Sequence, residues 1–387
     1  MKKTDRQGLW AGIRKCYLQA IVSWMRLKNL RKIETCIIGA GVAGLSAARH
    51  IRGPTLVIDQ KSEIGLPVRC GEGMSIAALE RERIPLLDDF IARRLHSIDR
   101  FFPGGLKVGT QHREPHAVIL HKDRLEKYLA IESKAEIQLS AYLSLIEPSE
   151  GGWRLTTTAG IIWAKYVIAA DGPASRVKRL LLKEHLPLSS ATSYAIKGKP
   201  KVSLPDCSLY FGNTVAPSGY AWIFSKGYSD FNVGVISHRH LNTRKYLLAF
   251  LADKFMEYAR VAPRSGYLPQ GGWNRTLLYD NLLFVGDAGG FVDPLFSGGI
   301  SLALMSGRLA AQAINAATPK LYVSSIAQYQ ISPENLSDAA EWFYGLDDAG
   351  LNSAGQALFS AQTGEKPADR GFAEYFSAWN KAKTIVW

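Results

Sequence analysis

Ile33-Glu34-Thr35-Cys36-Ile37-Ile38-Gly39-Ala40-Gly41-Val42-Ala43-Gly44 is the stretch whose reading decides the fold. A short β-prone run enters a Gly-x-Gly-x-x-Gly turn, and an Ala-rich helical run leaves it and stops at Gly53-Pro54. Thr55-Leu56-Val57-Ile58-Asp59 then reads as a second strand ending on an acid, twenty residues after Gly39. That spacing suits a carboxylate on the ribose of a bound dinucleotide. Gly39 permits the tight turn, Gly41 lets a pyrophosphate approach the backbone, and Gly44 lets the helix pack close to the strand. The helix N-terminus faces the phosphates with free N–H groups and the positive end of its dipole.

Working outward, 387 residues predict two intimately packed domains with a sizeable core. The four cysteines (Cys16, Cys36, Cys70, Cys207) are scattered, with no CxxC pair and no His/Cys cluster at metal spacing. A disulfide scaffold, zinc site or iron–sulfur cluster is therefore not expected, and a reducing cytoplasmic setting is. Residues 1–32 carry +8 of the net charge of +13. Within this basic arm Trp10, Ile13, Tyr17, Ile21 and Trp24 recur at helical spacing, as in an amphipathic helix lying on an anionic membrane surface. A helix packed on the protein's own body is the competing reading. The apolar runs are too short to span a bilayer, and no nucleic-acid module is present.

Downstream, Lys61 to Gly73 is a loop rich in Gly, Pro and charge, leaving the ligand-facing end of the second strand. Cys70 in it reads equally as a reactive thiol or a small packing residue. A helical piece is expected near Leu86–Leu95 and another from Leu120 to Ile131, then hairpin strands to an Asp171-Gly172 exit. Residues 188–275 read as a β-rich region dense in aromatics, with a helix from Asn242 through Tyr258. Leu282–Val285 is a buried strand ending in Gly286-Asp287, and Gly298-Gly299 opens a second small-residue helix aimed at a ligand.

Three separated fingerprints in this order resemble the FAD-binding fold of aromatic hydroxylases. Within that group the chain resembles the geranylgeranyl reductase family. The matches are Glu63-Ile64-Gly65-x-Pro67-Val68-Arg69-Cys70-Gly71-Glu72-Gly73, Ala170-Asp171-Gly172-Pro173-x-Ser175, Gly286-Asp287-Ala288-x-Gly290-Phe291-Val292-Asp293-Pro294 and Tyr220-x-Trp222-x-Phe224. Ser225 stands where the family carries Pro, Ile236 replaces an expected glycine, and Lys122 stands for an Arg.

The resemblance implies an α/β architecture, with a Rossmann-like FAD-binding domain, an inserted β-sheet-rich substrate domain and a helical C-terminal tail. The expected parts are the arm 1–32, a discontinuous FAD-binding domain (33–75, 115–187, 276–318), a substrate-binding region (76–114, 188–275) and the tail 319–387. It implies FAD held by Gly39, Gly41, Gly44, Asp59, Gln60, Arg69, Cys70, Gly71, Lys122, Asp171, Gly286, Asp287, Gly298, Gly299 and Ile300. Tyr220, Trp222 and Phe224 would line the substrate pocket, and Cys70 is the candidate proton donor. The implied reaction reduces isolated double bonds of a prenyl chain in a lipid or quinone precursor. NADPH or a ferredoxin-type redox partner protein would supply electrons, at the cytoplasmic membrane face. A flavin monooxygenase or halogenase, or a membrane-bound flavoprotein without turnover, are the alternatives.

Deleting residues 1–24 is expected to lower co-sedimentation with anionic liposomes, most clearly at low salt. Unchanged sedimentation at two salt concentrations removes the membrane role of the arm.

Overall fold

The computed structural model describes residues 30–239, 241–270, 276–328 and 333–363. Most of the basic arm and residues 364–387 of the tail lie outside the described residues. In chain order, β1 (Leu30–Ile38) feeds the glycine turn and α1 (Val42–His50), and β2 (Thr55–Ile58) returns parallel to β1. There follow β3 (Gly73–Ser75), α2 (Ile76–Arg81), β4 (Ile91–Leu95), β5 (Ser97–Phe101), β6 (Lys107–Gln111) and β7 (Ala117–Leu120). Next come α3 (Lys122–Ser133), β8 (Glu136–Gln138), the strands β9 (Leu143–Ser149), β10 (Gly152–Thr157) and β11 (Gly160–Ala169), and α4 (Arg176–Leu181). The β-rich stretch holds β12 (Leu188–Pro200), β13 (Cys207–Tyr210), β14 (Gly219–Ser225), β15 (Asp230–Ser237), α5 (Thr243–Lys254) and β16 (Phe255–Pro269). The chain closes with β17 (Leu278–Tyr279), β18 (Leu282–Phe284), α6 (Ile300–Asn315), α7 (Lys320–Gln328), α8 (Pro333–Gly345) and α9 (Asp348–Thr363).

Three sheets result. The first runs β17-β18-β11-β1-β2-β8, parallel from β18 to β8, with β10 and β9 added antiparallel beside β11. The second runs β16-β12-β15-β14-β13-β5-β6, and the third β3-β7-β4. In the parallel sheet the carboxyl ends of β1, β2, β11 and β18 share one edge. Gly39, Asp59, Asp171 and Gly286 therefore emerge together there, where open α/β sheets place their ligands.

Small residues set the spacing of this edge. Gly39 has φ +112°, a conformation that side chains disfavour, and a Cβ on it would overlap the Ala170 carbonyl. A Cβ on Gly44 would overlap the carbonyl oxygen of Gly39, so α1 lies against the turn only because Gly44 has no side chain. On its outer face α1 packs on α6, where Ser46 Oγ donates to the Leu304 carbonyl at 2.7 Å.

Two sequence expectations change. The piece near Leu86–Leu95 is not a helix: Ile91–Leu95 forms β4, because pairing with β7 across a register shift buries Ile91 in one apolar cluster and Leu95 in another. The helix expected through Tyr258 stops at Lys254, and Phe255–Pro269 becomes β16, paired along nearly the whole of β12. In both places cross-strand pairing overrides a local helical spacing of apolar residues.

Gly44→Ala is expected to destabilise the protein by about 2–3 kcal/mol in chemical denaturation, because helix and turn must part to admit the methyl group.

Candidate functional site

The site begins at the glycine turn. Gly41 is the N-cap of α1 and supplies no side-chain cap, and Gly299 does the same for α6. Two helix N-termini thus keep free N–H groups directed at the same edge. A Cβ on Gly41 would meet nothing nearer than Glu126 Oε1 at 4.0 Å, and one on Gly172 would meet nothing within 4 Å. The glycines therefore divide: Gly39 and Gly44 are closed in by protein, whereas Gly41 and Gly172 border open space. An open glycine backbone at an uncapped helix terminus fits an approaching pyrophosphate, so the residues present suit the dinucleotide part of FAD.

Asp59 is buried and ties the turn to β2. Its Oδ2 accepts from Ala40 N at 2.6 Å and its Oδ1 from Lys61 N at 2.8 Å, with Lys61 Nζ 3.6 Å from Oδ2. Gln60 beside it is exposed. Asp171 points its carboxylate at α4, accepting from Ser175 Oγ at 2.7 Å and Val177 N at 3.0 Å. Burial raises its pKa, opposed by those hydrogen bonds. What the Asp171 segment offers the glycine turn is close backbone.

Lys122 and Lys61 both reach Glu126, a buried carboxylate beneath Gly41, Lys122 by a hydrogen bond and Lys61 at 3.9 Å. Burial works against the Lys122 charge, but Glu126, Cys70 and Asp287 outweigh it and raise its pKa. Asp287 lies at the foot of α6, its Oδ1 3.6 Å from where a Gly299 Cβ would sit. Burial pushes it up to about 6, with Lys122 opposing. The Cys70 thiol is pushed up by burial, with Lys122 opposing, and stays protonated near neutrality. Glu72 N–H donates to Cys70 Sγ at 3.3 Å. Lys122, Cys70 and Asp287 thus form one electrostatic group drawn from three elements. Gly298 and Ile300 flank Gly299 at the start of α6; Gly298 O accepts from Asp293 N at 2.9 Å, and Ile300 is buried.

Tyr220, Trp222 and Phe224 alternate on one face of β14. A Cβ on Gly71 would meet the Phe224 ring at 3.1 Å and Trp222 Nε1 at 3.7 Å, so both rings press on the Arg69–Gly73 loop. Tyr220 Oη donates to the Phe296 carbonyl at 2.6 Å, joining the sheet to the segment before α6. Exposed Arg69 passes over Gly266 of β16.

Sequence reasoning quoted Glu72 but gave it no role. It is fully buried with φ +72°, and it joins three elements. It takes Lys226 Nζ at 2.8 Å, Arg264 Nη1, Asn232 Nδ2 at 3.1 Å and Lys122 N at 3.1 Å. Asn232 also donates to the Cys70 carbonyl at 2.8 Å and accepts from Trp222 Nε1 at 3.1 Å. Glu126, Lys61, Asn232, Lys226 and Arg264 were likewise not singled out as site residues. Only the loop motif around Glu72 carried a signal, since its side-chain partners Lys226, Asn232 and Arg264 are 154 to 192 residues away.

The C-terminal tail, whose role was unassigned, covers the same face. Phe343 and Tyr344 of α8 and Leu351, Ala354 and Leu358 of α9 share one apolar cluster with Tyr220, Trp222 and Phe224. Tyr344 stacks on His238 at 4.4 Å and donates to the Leu295 carbonyl. His238 itself is half-buried, and His240 lies outside the described residues.

A parallel sheet with an open glycine turn, a second helix aimed at the same edge and an aromatic sheet over the intervening loop define an oxidoreductase of the FAD-binding fold. A structure from Thermoplasma acidophilum described as geranylgeranyl bacteriochlorophyll reductase-like superposes with a TM-score of 0.79 at 24% identity, covering 92% of this chain and 100% of that one. Residues 190–263 match the geranylgeranyl reductase catalytic domain. A digeranylgeranylglycerophospholipid reductase of Methanosphaera stadtmanae is 34% identical over 337 residues, 81% of this chain and 83% of that relative. One from Methanothermobacter thermautotrophicus is 32% identical over 73% of this chain and 79% of its own length. The chain belongs to the geranylgeranyl reductase family.

Two outcomes test the site. Glu72→Ala leaves two cations buried without their carboxylate and is expected to cost about 3–5 kcal/mol in denaturant titration. Asp287 ionises near 4 in the unfolded chain but near 6 in the fold, so its burden is absent below pH 4 and complete above pH 6. Flavin-free Asp287→Asn should therefore be more stable than the parent at pH 8, by up to about 2 kcal/mol, and show no such gain near pH 4.

Proposed function

We propose that this enzyme reduces isolated double bonds of geranylgeranyl chains in a glycerophospholipid, the substrate class carried in its relatives' names. The observation that carries this reading is the aromatic face of β14 pressed on the Arg69–Gly73 loop and roofed by α8 and α9. An unactivated alkene offers no carbonyl to polarise, so catalysis rests on positioning in a dry apolar enclosure. Bound reduced FAD supplies a hydride equivalent; the chain supplies the rest.

The free N–H groups of α1 and the open backbone of Gly41 hold the pyrophosphate, with Lys61 and Lys122 turning from Glu126 toward the added negative charge. Gly39, Gly44 and Asp59 fix the turn, and Gln60 is the exposed residue at the adenosine end. The Arg69–Cys70–Gly71 backbone, with Gly286, Asp287, Gly298, Gly299 and Ile300 at the start of α6, would hold the flavin part of FAD. Cys70 Sγ accepts from Glu72 N–H, which leaves its own proton free for the second alkene carbon. Solvent then reprotonates the thiolate. NADPH or a ferredoxin-type protein delivers the electrons. Among the described residues no helix is long and apolar enough to cross a membrane.

The purified protein is expected to be yellow, and its photoreduced flavin to reoxidise anaerobically with a digeranylgeranyl glycerophospholipid. Cys70→Ala should slow that reoxidation by about 10²–10⁴-fold without releasing the flavin. Absence of reoxidation with every prenyl lipid tried sinks the assignment. A full-rate Cys70→Ala removes the thiol from it.

A further inference from the structure

One cation on the aromatic face, Arg100, forms no ion pair among the described residues. Residues paired across adjacent strands point to the same side of a sheet. The register Val108–Arg100–Leu209–Trp222–Gly234–Ser193–Arg264 runs across six strand pairings from β6 to β16. Its two arginines differ. Arg264 ends on Glu72. Arg100 is only 9% exposed, its pairing neighbours Val108 and Leu209 belong to the apolar cluster, and its Nη1 is buried with no hydrogen-bond partner among the described residues. The adjacent Asp99 faces the other side of the strand and is held by Lys107 at 2.7 Å. Burial pulls the Arg100 pKa down, with Cys207 and Asp99 opposing.

His116, just before β7, has a second orphaned buried atom, Nδ1. Burial lowers its pKa to about 4, and His112, Arg100 and His96 add to that effect. His112 packs against it at a tilt with ring centroids 4.0 Å apart and is itself exposed, as is His96, so the cluster runs from the apolar face to solvent. A buried guanidinium without a counter-charge is costly, and its fork geometry matches a phosphate. A neutral imidazole with Nδ1 unpartnered adds a donor in the right tautomer.

We propose that Arg100 and His116 form an anion site that takes the phosphate of the lipid substrate, with the prenyl chain running along the face toward Trp222. This rests on the prenyl phospholipid reading above. Arg100 and Trp222 are two strand spacings apart, about 10 Å, which places the polar end and the reacting end of one molecule on the same face.

The test is equilibrium binding, so it stands apart from turnover. Digeranylgeranylglycerol phosphate and digeranylgeranylglycerol are titrated in detergent micelles against the full-length protein. The parent should prefer the phosphate lipid by about tenfold or more, and Arg100→Gln or His116→Asn should erase most of that preference. Arg100→Met, without lipid, should melt at or above the parent temperature, because an apolar side chain replaces an unpaired buried charge. Competition by inorganic phosphate assigns the site to the anion itself; preference without competition assigns it to the headgroup, and either carries the proposal. Equal affinity of the parent for the two lipids, preference surviving both charge-removing variants, or a lowered melting temperature of Arg100→Met overturns it. A binding preference with no flavin reoxidation would instead remove the reductase assignment and leave the anion site standing.

Discussion

The carboxylate of Glu72 is the constraint on which the rest of the site depends. It is withdrawn from water, and only the arrangement of Lys226, Arg264, Asn232 and the Lys122 N–H makes that burial tolerable. Because these partners belong to β15, β16, the turn between β14 and β15, and the start of α3, satisfying one side chain fixes one sheet and a helix against the same loop. Cys70 and Gly71 are next to it in sequence, so their position follows from this charge balance. Asn232 extends the constraint to Trp222, whose indole N–H it accepts while donating to the Cys70 carbonyl.

Around that anchor the aromatic residues do more than line a pocket. Phe224 and Trp222 support the loop from below, and Gly234 leaves the Trp222 ring the room it occupies. Tyr220 is tied to the segment ahead of α6. The tail helices complete the enclosure from the far side, through Phe343, Tyr344 and Leu351. An enclosure assembled from four distant segments excludes water more completely than one strand face does, and alkene reduction needs that exclusion.

The polar groups around Lys122 are few and mutually dependent. Lys122 keeps its charge through Glu126, Cys70 and Asp287, while the same lysine limits how far burial raises the two acids. A protonated thiol, a cation and a carboxyl with a pKa near 6 stand within one another's fields. Such a group responds to a change of charge on a bound cofactor as a unit.

The sequence by itself determined the nucleotide-binding edge. Gly39 to Gly44, Asp59, the Asp171 exit and Gly286-Asp287 are local motifs whose backbone requirements are written in consecutive residues, and β18, β11, β1 and β2 bring them to one edge. The aromatic alternation of β14 was legible for the same reason. The sequence alone did not distinguish Gly44, closed by the Gly39 carbonyl, from Gly41, open above. It also read β4 and the start of β16, through Tyr258, as helical, since neither shows its partner strand in its own spacing. Only the tertiary structure decided the places of Glu72, Asn232, Arg264 and the tail. Ion pairs and apolar lids are satisfied by residues far away in the chain, and such distances leave no local pattern to read.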